Sequence, residues 1–449
     1  MLSTHITIRD VSLSFENFLY RTPIKFGGVA LDRVTLLNVK LTVEDRQGKT
    51  SQGFGSMPLG NVWAWPSRSL NYEQTLQAMQ DFAVVTARAY SEYKTPGHPI
   101  DITHTLEPRL LSEQLRQQLS EAMPPLAKLV VISSFDAALH DAFGKRMSLN
   151  CYHTYGPEFL EHDLGHYLGN DFAGEQLQSY ISKYPRPRLP LYHLVGALDP
   201  LTPEEVLQPI GDGLPEHLGD WILQNGLTHL KIKLNGDNLA WDVERVIGVD
   251  IVAGNTQGRR GVSQWWYSLD FNERCPNVDY LLDFLDQLKQ RSPQGYERVH
   301  YVEQPTARDL KANPQNKLHE AAKRKPVVID ESLLDMESLH LARDLGYSGV
   351  AFKACKGQTQ SLLLAAAAQK YNLFRCVQDL TCPGASLIQS AGLAAHIPGV
   401  AAIEANSRQY CPAANNSWEA RFPELFSIQD GTMFTGQLTG VGLGAIEQK

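Results

Sequence analysis

From about Leu189 onward, short apolar runs alternate with amphipathic helical stretches, and this repeat limits the fold more than any other feature of the chain. The runs begin with Leu191-Tyr-His-Leu-Val, His229-Leu-Lys-Ile-Lys-Leu, Trp266-Tyr-Ser-Leu-Asp and Val299-His-Tyr-Val-Glu. They continue with Val327-Val-Ile-Asp, Gly349-Val-Ala-Phe-Lys, Phe374-Arg-Cys-Val-Gln and Val400-Ala-Ala-Ile-Glu. A strand followed by a helix and another strand implies parallel pairing, because a parallel neighbour is reached only through a crossover. Eight such units in this length predict a closed α/β barrel rather than an open sheet. An open doubly wound sheet would usually show a glycine-rich phosphate turn after its first strand, and none is evident.

The segment before the repeat has a different character. Ile6-Thr-Ile-Arg-Asp-Val-Ser-Leu and Val34-Thr-Leu-Leu-Asn-Val-Lys-Leu-Thr-Val alternate as strands do. Gly- and Pro-bearing loops follow, then helical patterns over Glu73 to Ser91 and Leu110 to Glu121, so residues 1 to about 125 read as a small α+β domain. A bridging helix is expected over about Ser133 to Lys145. The tail after Asn406 is rich in Gly, Asn and Pro and does not continue the repeat. With 449 residues the chain is long for one core. Its net charge of −8 argues against a nucleic-acid backbone or an anionic membrane as main partner. No signal-peptide core or bilayer-length apolar run is present, and the six cysteines form no CxxC pair, as expected of a cytoplasmic protein.

Charged residues recur at one place in the repeat, the C-terminal ends of the strands. Lys231 and Lys233 end the second run, Asp270 the third, Glu303 the fourth, Asp330 the fifth and Lys353 the sixth. In a parallel barrel those ends converge on one mouth. Residues two apart on a strand share a face, so Lys231 and Lys233 point the same way, as Asp270 and Asn272 would if their strand continues. Three converging carboxylates repel each other, and a hard divalent cation with oxygen ligands relieves that repulsion. Magnesium suits this donor set; zinc would want Cys or His, and neither belongs to the constellation. A neighbouring ammonium and a nearby metal both disfavour a lysine's charge, so Lys231 beside Lys233 is an arrangement that can make a base. Lys353 would face a bound substrate from the other side.

The strings Lys231-Ile-Lys233, Leu269-Asp-Phe-Asn, Tyr301-Val-Glu-Gln-Pro, Ile329-Asp-Glu-Ser and Phe352-Lys resemble the muconate lactonizing enzyme subgroup of the enolase superfamily, in order and spacing. Phe135-Asp-Ala-Ala-Leu-His-Asp-Ala-Phe-Gly-Lys resembles the helix that joins that family's capping domain to its barrel. Gly440-Val-Gly-Leu-Gly resembles the closing motif of its tail. The resemblance implies a (β/α)7β barrel (131–405) and an α+β capping domain built from residues 1–130 and the returning tail (406–449). It implies Asp270, Glu303 and Asp330 as Mg2+ ligands and Lys233 and Lys353 as an acid/base pair, with Lys231 beside them. The chemistry implied is removal of the proton next to a carboxylate through an ene-diolate, a use of lysine and magnesium that is general in this superfamily. A racemase, epimerase or cycloisomerase is ranked above a β-eliminating lyase, because a lysine on each face serves proton return. A barrel that binds a carboxylate without turnover is the alternative of another class. The expected partners are a small-molecule carboxylate and further copies of the chain.

The sequence departs from that family in places. Gly254 to Trp265 reads as extra sequence before the third strand, and Tyr152 to Tyr184 as a lengthened link. Gly53-Phe-Gly-Ser-Met lacks the acid often found after the family's Gly-x-Gly, and Glu404-Ala-Asn406 stands where dipeptide epimerases carry Asp-x-Asp. Asn272, Glu404 and Asn406 are candidate substrate contacts, and Arg375, Asp379 and Arg408 candidates for its distal part. Lys356 has the wrong strand parity for a base and reads as a loop lysine; Glu331 would point away from Asp330 but could support a lysine. His193 reads as a core histidine, and His162 with His166 as part of a solvated loop. Phe54, Met57, Trp63 and Trp65 read as core or as an apolar pocket wall.

Overall fold

The computed structural model describes residues 2–26, 29–114 and 119–444. Three antiparallel strands open the chain: β1 (Ile6–Phe26), β2 (Val29–Asp45) and β3 (Thr50–Pro58), in the order β1-β2-β3. The strand β3 occupies a stretch that the sequence presents as loop. Its glycines serve packing: a Cβ at Gly53 would lie 2.1 Å from the Ala138 carbonyl oxygen, and one at Gly55 2.0 Å from that of Ser134. Helix Pro125–Met147 therefore lies directly on the backbone of β3. This helix runs longer than expected and crosses the expected 130/131 boundary, so one element belongs to both halves. Helix Tyr72–Glu92, closed at its start by the Asn71/Gln74 capping box, packs on β1. The second expected helix, Leu110 to Glu121, is instead Pro99–Ser112, with Pro99 at the first turn where its missing N–H costs nothing. Part of the expected span, 115–118, lies outside the described residues.

Eight parallel strands close the second sheet: β4 (Arg188–Val195), β5 (His229–Lys233), β6 (Trp266–Asp270), β7 (Val299–Glu303), β8 (Val327–Ile329), β9 (Gly349–Phe352), β10 (Phe374–Val377) and β11 (Ile403–Glu404). Each pairs with the next, and β11 pairs back with β4, so the ring is complete. Helices separate successive strands, which gives the (β/α)7β barrel. Tyr192, Tyr301, Val328, Ala351, Cys376 and Ala402 pack together as a layer filling the barrel below its mouth. The residues expected to be an insertion before β6 are mostly helical: Leu239–Arg260 continues through them and stops at Gly261, whose φ of 69° is a left-handed cap.

The tail returns across both halves. A strand β12 (Thr432–Phe434) pairs antiparallel with β4. Cys411 and Ala414 pack with Val34 and Leu36 of β2. Asp141, on helix Pro125–Met147, accepts from the backbone N–H of Phe54 and of Leu443, both at 3.0 Å. One buried carboxylate thus ties β3, the bridging helix and the closing Gly-rich motif together. Among the described residues no helix is long and apolar enough to cross a membrane.

Candidate active site

The carboxylates and lysines meet because their strands are in register. Lys233 pairs laterally with Asp270, and Asp270 with Glu303, on β5, β6 and β7. Asp330 and Lys353 follow the last residues of β8 and β9 directly. All five are buried, with exposures of 1 to 5%. Since β5 and β9 lie four places apart in the closed ring of eight, Lys233 and Lys353 rise from opposite sides of the mouth, with the three acids on the strands between.

Lys231 sits at the centre of the acids. Its Nζ lies 2.8 Å from Glu303 Oε1, 2.9 Å from Gln378 Oε1, and 3.0 Å from both Asp270 Oδ2 and Glu404 Oε2. Lys233 donates to Asp270 Oδ2 at 2.5 Å and to Asn272 Oδ1 at 3.1 Å. Lys353 pairs with Asp330 Oδ2 at 2.8 Å, and Lys356 with Asp330 Oδ1 at 3.1 Å. Lys356 is therefore no loop lysine. A short helical turn, Ala354–Lys356, follows β9, breaks the alternation of the strand and swings the side chain back to Asp330.

Burial works against the charge of every group here, and the neighbours decide the outcome. For Lys231 and Lys353 burial is outweighed by the facing carboxylates, Asp270 and Asp330 respectively, and both ammonium groups are pushed up. Asp270 and Asp330 are held well below the usual carboxylate range against burial, the first by Lys231 and Lys233, the second by Lys353 and Lys356. Glu303 goes the other way: burial, then Asp270, raise it well above its ordinary value. Its Oε2 is buried without a hydrogen-bond partner.

Those last two facts bear on a metal. Among the described residues no three His, Cys, Asp or Glu side chains stand as a finished cage, because lysines hold the acids. The donor chemistry still fits a hard cation: carboxylates from three adjacent strands, an orphaned Glu303 oxygen, and burial that, with Asp270, works against the charge of Glu303.

The remaining candidates separate. Asn272 lies at the mouth with φ of 45° and donates from Nδ2 to Glu331 Oε1 at 3.5 Å as well as accepting from Lys233. Glu404 accepts from Lys231 and, at 2.6 Å, from Asn406 Nδ2, leaving the buried Asn406 Oδ1 without a partner. Asp379 accepts from the backbone N–H of Leu380, Cys382 and Asn406, so it shapes the loops here. Arg375 is not at the mouth. It is the second residue of β10 and donates to the Pro398 and Leu373 carbonyls at the opposite end of the barrel. Arg408 also points elsewhere, to Asn225 and Trp221 outside the barrel wall. His162 and His166 stack on each other, ring centroids 4.1 Å apart, on the exposed segment before β4.

One contributor is missing from the sequence reading: Gln378 follows β10 at the same level as the other strand-end groups, a position that could have identified it. Trp63, from the first domain, is the pocket-wall alternative among the capping-loop aromatics. It covers the site: Lys353 Nζ lies 4.1 Å from its ring centroid, and its Nε1–H donates to Glu331 Oε1 at 2.9 Å. Glu331 is thereby turned into the site, with burial and then Asp330 pushing it up to about 7.

A closed (β/α)7β barrel with a capping domain, carrying acids and lysines at successive strand ends, defines a class of barrel enzymes whose site lies under the cap. Residues 214–449, more than half of the chain, match the family described as enolase C-terminal domain-like, and the protein belongs to the enolase superfamily. Solved structures agree with the fold. A dipeptide epimerase from Enterococcus faecalis, complexed with Mg and the dipeptide L-Leu-L-Tyr, is 14% identical; 98% of this chain and 100% of that chain are covered, with a TM-score of 0.66. A muconate lactonizing enzyme from Pseudomonas fluorescens, complexed with muconolactone, is 14% identical over 98% and 97% of the two chains, with a TM-score of 0.63. A racemase from Streptomyces coelicolor with bound magnesium is 17% identical over 98% and 97%, with a TM-score of 0.61. No curated protein matches the chain in sequence.

Proposed function

We propose that this protein is a magnesium-dependent enzyme that removes the proton α to a small-molecule carboxylate and returns a proton to the product, as a racemase, epimerase or cycloisomerase. The observation that carries the reading is the pair Lys233 and Lys353 on opposite sides of the mouth, each held by one of two acids that flank Glu303. One amine takes the α-proton on its Nζ, and the electron pair passes into the substrate carboxylate as an ene-diolate. The ammonium across the mouth then protonates the opposite face. Bound by Asp270, Glu303 and Asp330, magnesium would supply positive charge for the substrate's carboxylate oxygens. Lys231 adds fixed positive charge beside the acids and is held too firmly by four oxygens to act as a mobile base. Asn272 orients Lys233, and Lys356 holds Asp330 from the side away from Lys353. Trp63 keeps water from Lys353.

The test is a library of carboxylic acids incubated with enzyme and magnesium in heavy water, read by loss of the α-proton signal. Exchange should appear with at least one acid, and conversion to product should be lost in Lys233→Ala and Lys353→Ala, while both variants still bind magnesium. Full turnover in either variant would refute the two-lysine scheme. Ligand binding with no exchange across the library would establish a binder in its place.

A further inference from the structure

Three histidines that the proposed reaction does not use come together where helix Pro99–Ser112 meets the link that precedes β4. His104 stands on that helix, and His162 and His166 on the link. The ring centroid of His166 lies 4.1 Å from that of His162 and 5.5 Å from that of His104. Local structure brings them there. Asp163 caps the short helix Leu164–Leu168, accepting from the backbone N–H of His166 at 3.2 Å and of Gly174 at 2.6 Å. The chain on both sides of His166 is thereby tied down, and the four-residue step from His162 brings the two rings face to face, 18° from parallel. Tyr167 joins this turn to the other helix. Its hydroxyl donates to Asp101, one turn before His104, and its ring stands edge-on to the His104 ring at 5.2 Å.

Among the described residues no ring nitrogen of the three has a protein hydrogen-bond partner, and no carboxylate lies within ion-pair distance of one. Core packing does not account for them, since His162 and His166 are exposed and His104 is half-buried. Burial and then His166 lower His104, which keeps its lone pair available near neutral pH. Neutral imidazole is the commonest transition-metal ligand, and two histidines separated by three residues recur in zinc sites. Three imidazoles on one tetrahedral ion, each bound at about 2.0–2.1 Å, have ring centres about 5 Å apart. His104 and His166 already meet that spacing. His162 and His166 lie about 1 Å closer than it, so the three do not stand as a finished cage, and rotation of the exposed His162 about its Cα–Cβ bond opens the pair. The fields of Asp101 and Glu161 reach His104 and His162 and favour a cation here.

We propose that His104, His162 and His166 form a second metal site, separate from the mouth, which takes Zn2+ or a similar divalent transition metal and clamps the link to helix Pro99–Ser112. Nitrogen donors suit zinc and not magnesium, the reverse of the acids at the mouth. The site is independent of the proposed reaction, and its test needs no turnover. Tag-free protein is titrated with Zn2+ by calorimetry in saturating magnesium, and thermal unfolding is followed with and without zinc. One zinc per chain should bind and raise Tm saturably, by roughly 3 °C at a hundredfold excess over its dissociation constant for a chain of this size. His104→Ala, His162→Ala and His166→Ala should each weaken binding at least about tenfold, since even groups behind a metal's ligands are worth that much. Asp270→Asn, which alters the mouth alone, should bind zinc as the wild type does. No binding in saturating magnesium, or binding lost in Asp270→Asn, would overturn the assignment. Binding that survives in His104→Ala would reveal an adventitious surface pair only, and would overturn it too.

Discussion

Trp63 makes two contacts that substitution can separate. Its ring face meets the Lys353 ammonium at 4.1 Å from the centroid, and its Nε1–H reaches Glu331 Oε1 at 2.9 Å. Trp63→Phe keeps a ring for Lys353 and deletes the donor. A buried Glu331 oxygen then keeps only the 3.5 Å contact from Asn272, and its other oxygen already lacks a partner. Losing a hydrogen bond to a buried carboxyl costs about 1–3 kcal/mol. Trp63→Leu deletes the donor and the ring together. To the first cost it adds a desolvated cation–π contact of about 2 kcal/mol and a share of the packing of a side chain only 5% exposed. The expected order is wild type, then Phe lower by about 2 kcal/mol, then Leu lower by about 4 kcal/mol or more. Urea unfolding gives the energies, and hydrogen exchange over Asn61–Ala64 shows whether the loss is local to the lid. Equal losses in the two variants would mean the ring face does nothing for Lys353. A Phe variant as stable as wild type would mean the Glu331 contact contributes nothing. Either result refutes the account of Trp63 as the joint between cap and mouth.

Crystals soaked in magnesium should show one ion contacted by Asp270, Glu303 and Asp330 at about 2.0–2.1 Å; an ion elsewhere, with these acids still on their lysines, would refute the proposed ligand set. Asp141→Ala strands the N–H groups of Phe54 and Leu443 and leaves Lys145 without its partner at 2.7 Å. It should cost about 3–5 kcal/mol and speed proteolysis of the tail; unchanged proteolysis would show that the tail is held elsewhere. Gly53→Ala drives a methyl into the backbone of helix Pro125–Met147 and should cost more than about 2 kcal/mol in urea midpoint analysis, whereas Gly258→Ala, with open space around it, meets no such clash.

What the sequence made legible follows from strand geometry. Period-two alternation and the position of a charge at the end of an apolar run both survive in the linear text, so the barrel and the order Lys231, Lys233, Asp270, Glu303, Asp330, Lys353 could be read from it. The misreadings occur where that period stops. Lys356 was assigned to the wrong side because parity was carried through a helical turn that resets it. The strand β3 was read as loop because its glycines suggest turns, when they are there to admit a helix. The sequence from Gly254 to Trp265 gives no sign that its first part, to Arg260, continues a long helix, because three glycines interrupt the pattern there. Arg375 and Arg408 depend on what lies beside them in space, and no local pattern records that.

The placement of Arg408 shows how much a few residues of chain can change. Glu404 closes the barrel and holds Lys231 at 3.0 Å, while Arg408, four residues on, lies behind the wall against helix Leu218–Asn225. In the sequence the two look like members of one substrate-binding group. What divides them is the end of β11 at Glu404 and the helical turn Ser407–Tyr410, which carries the chain over the rim of the barrel. Only Glu404 of the two therefore acts on Lys231, and Arg408 belongs to the packing between the barrel wall and helix Leu218–Asn225.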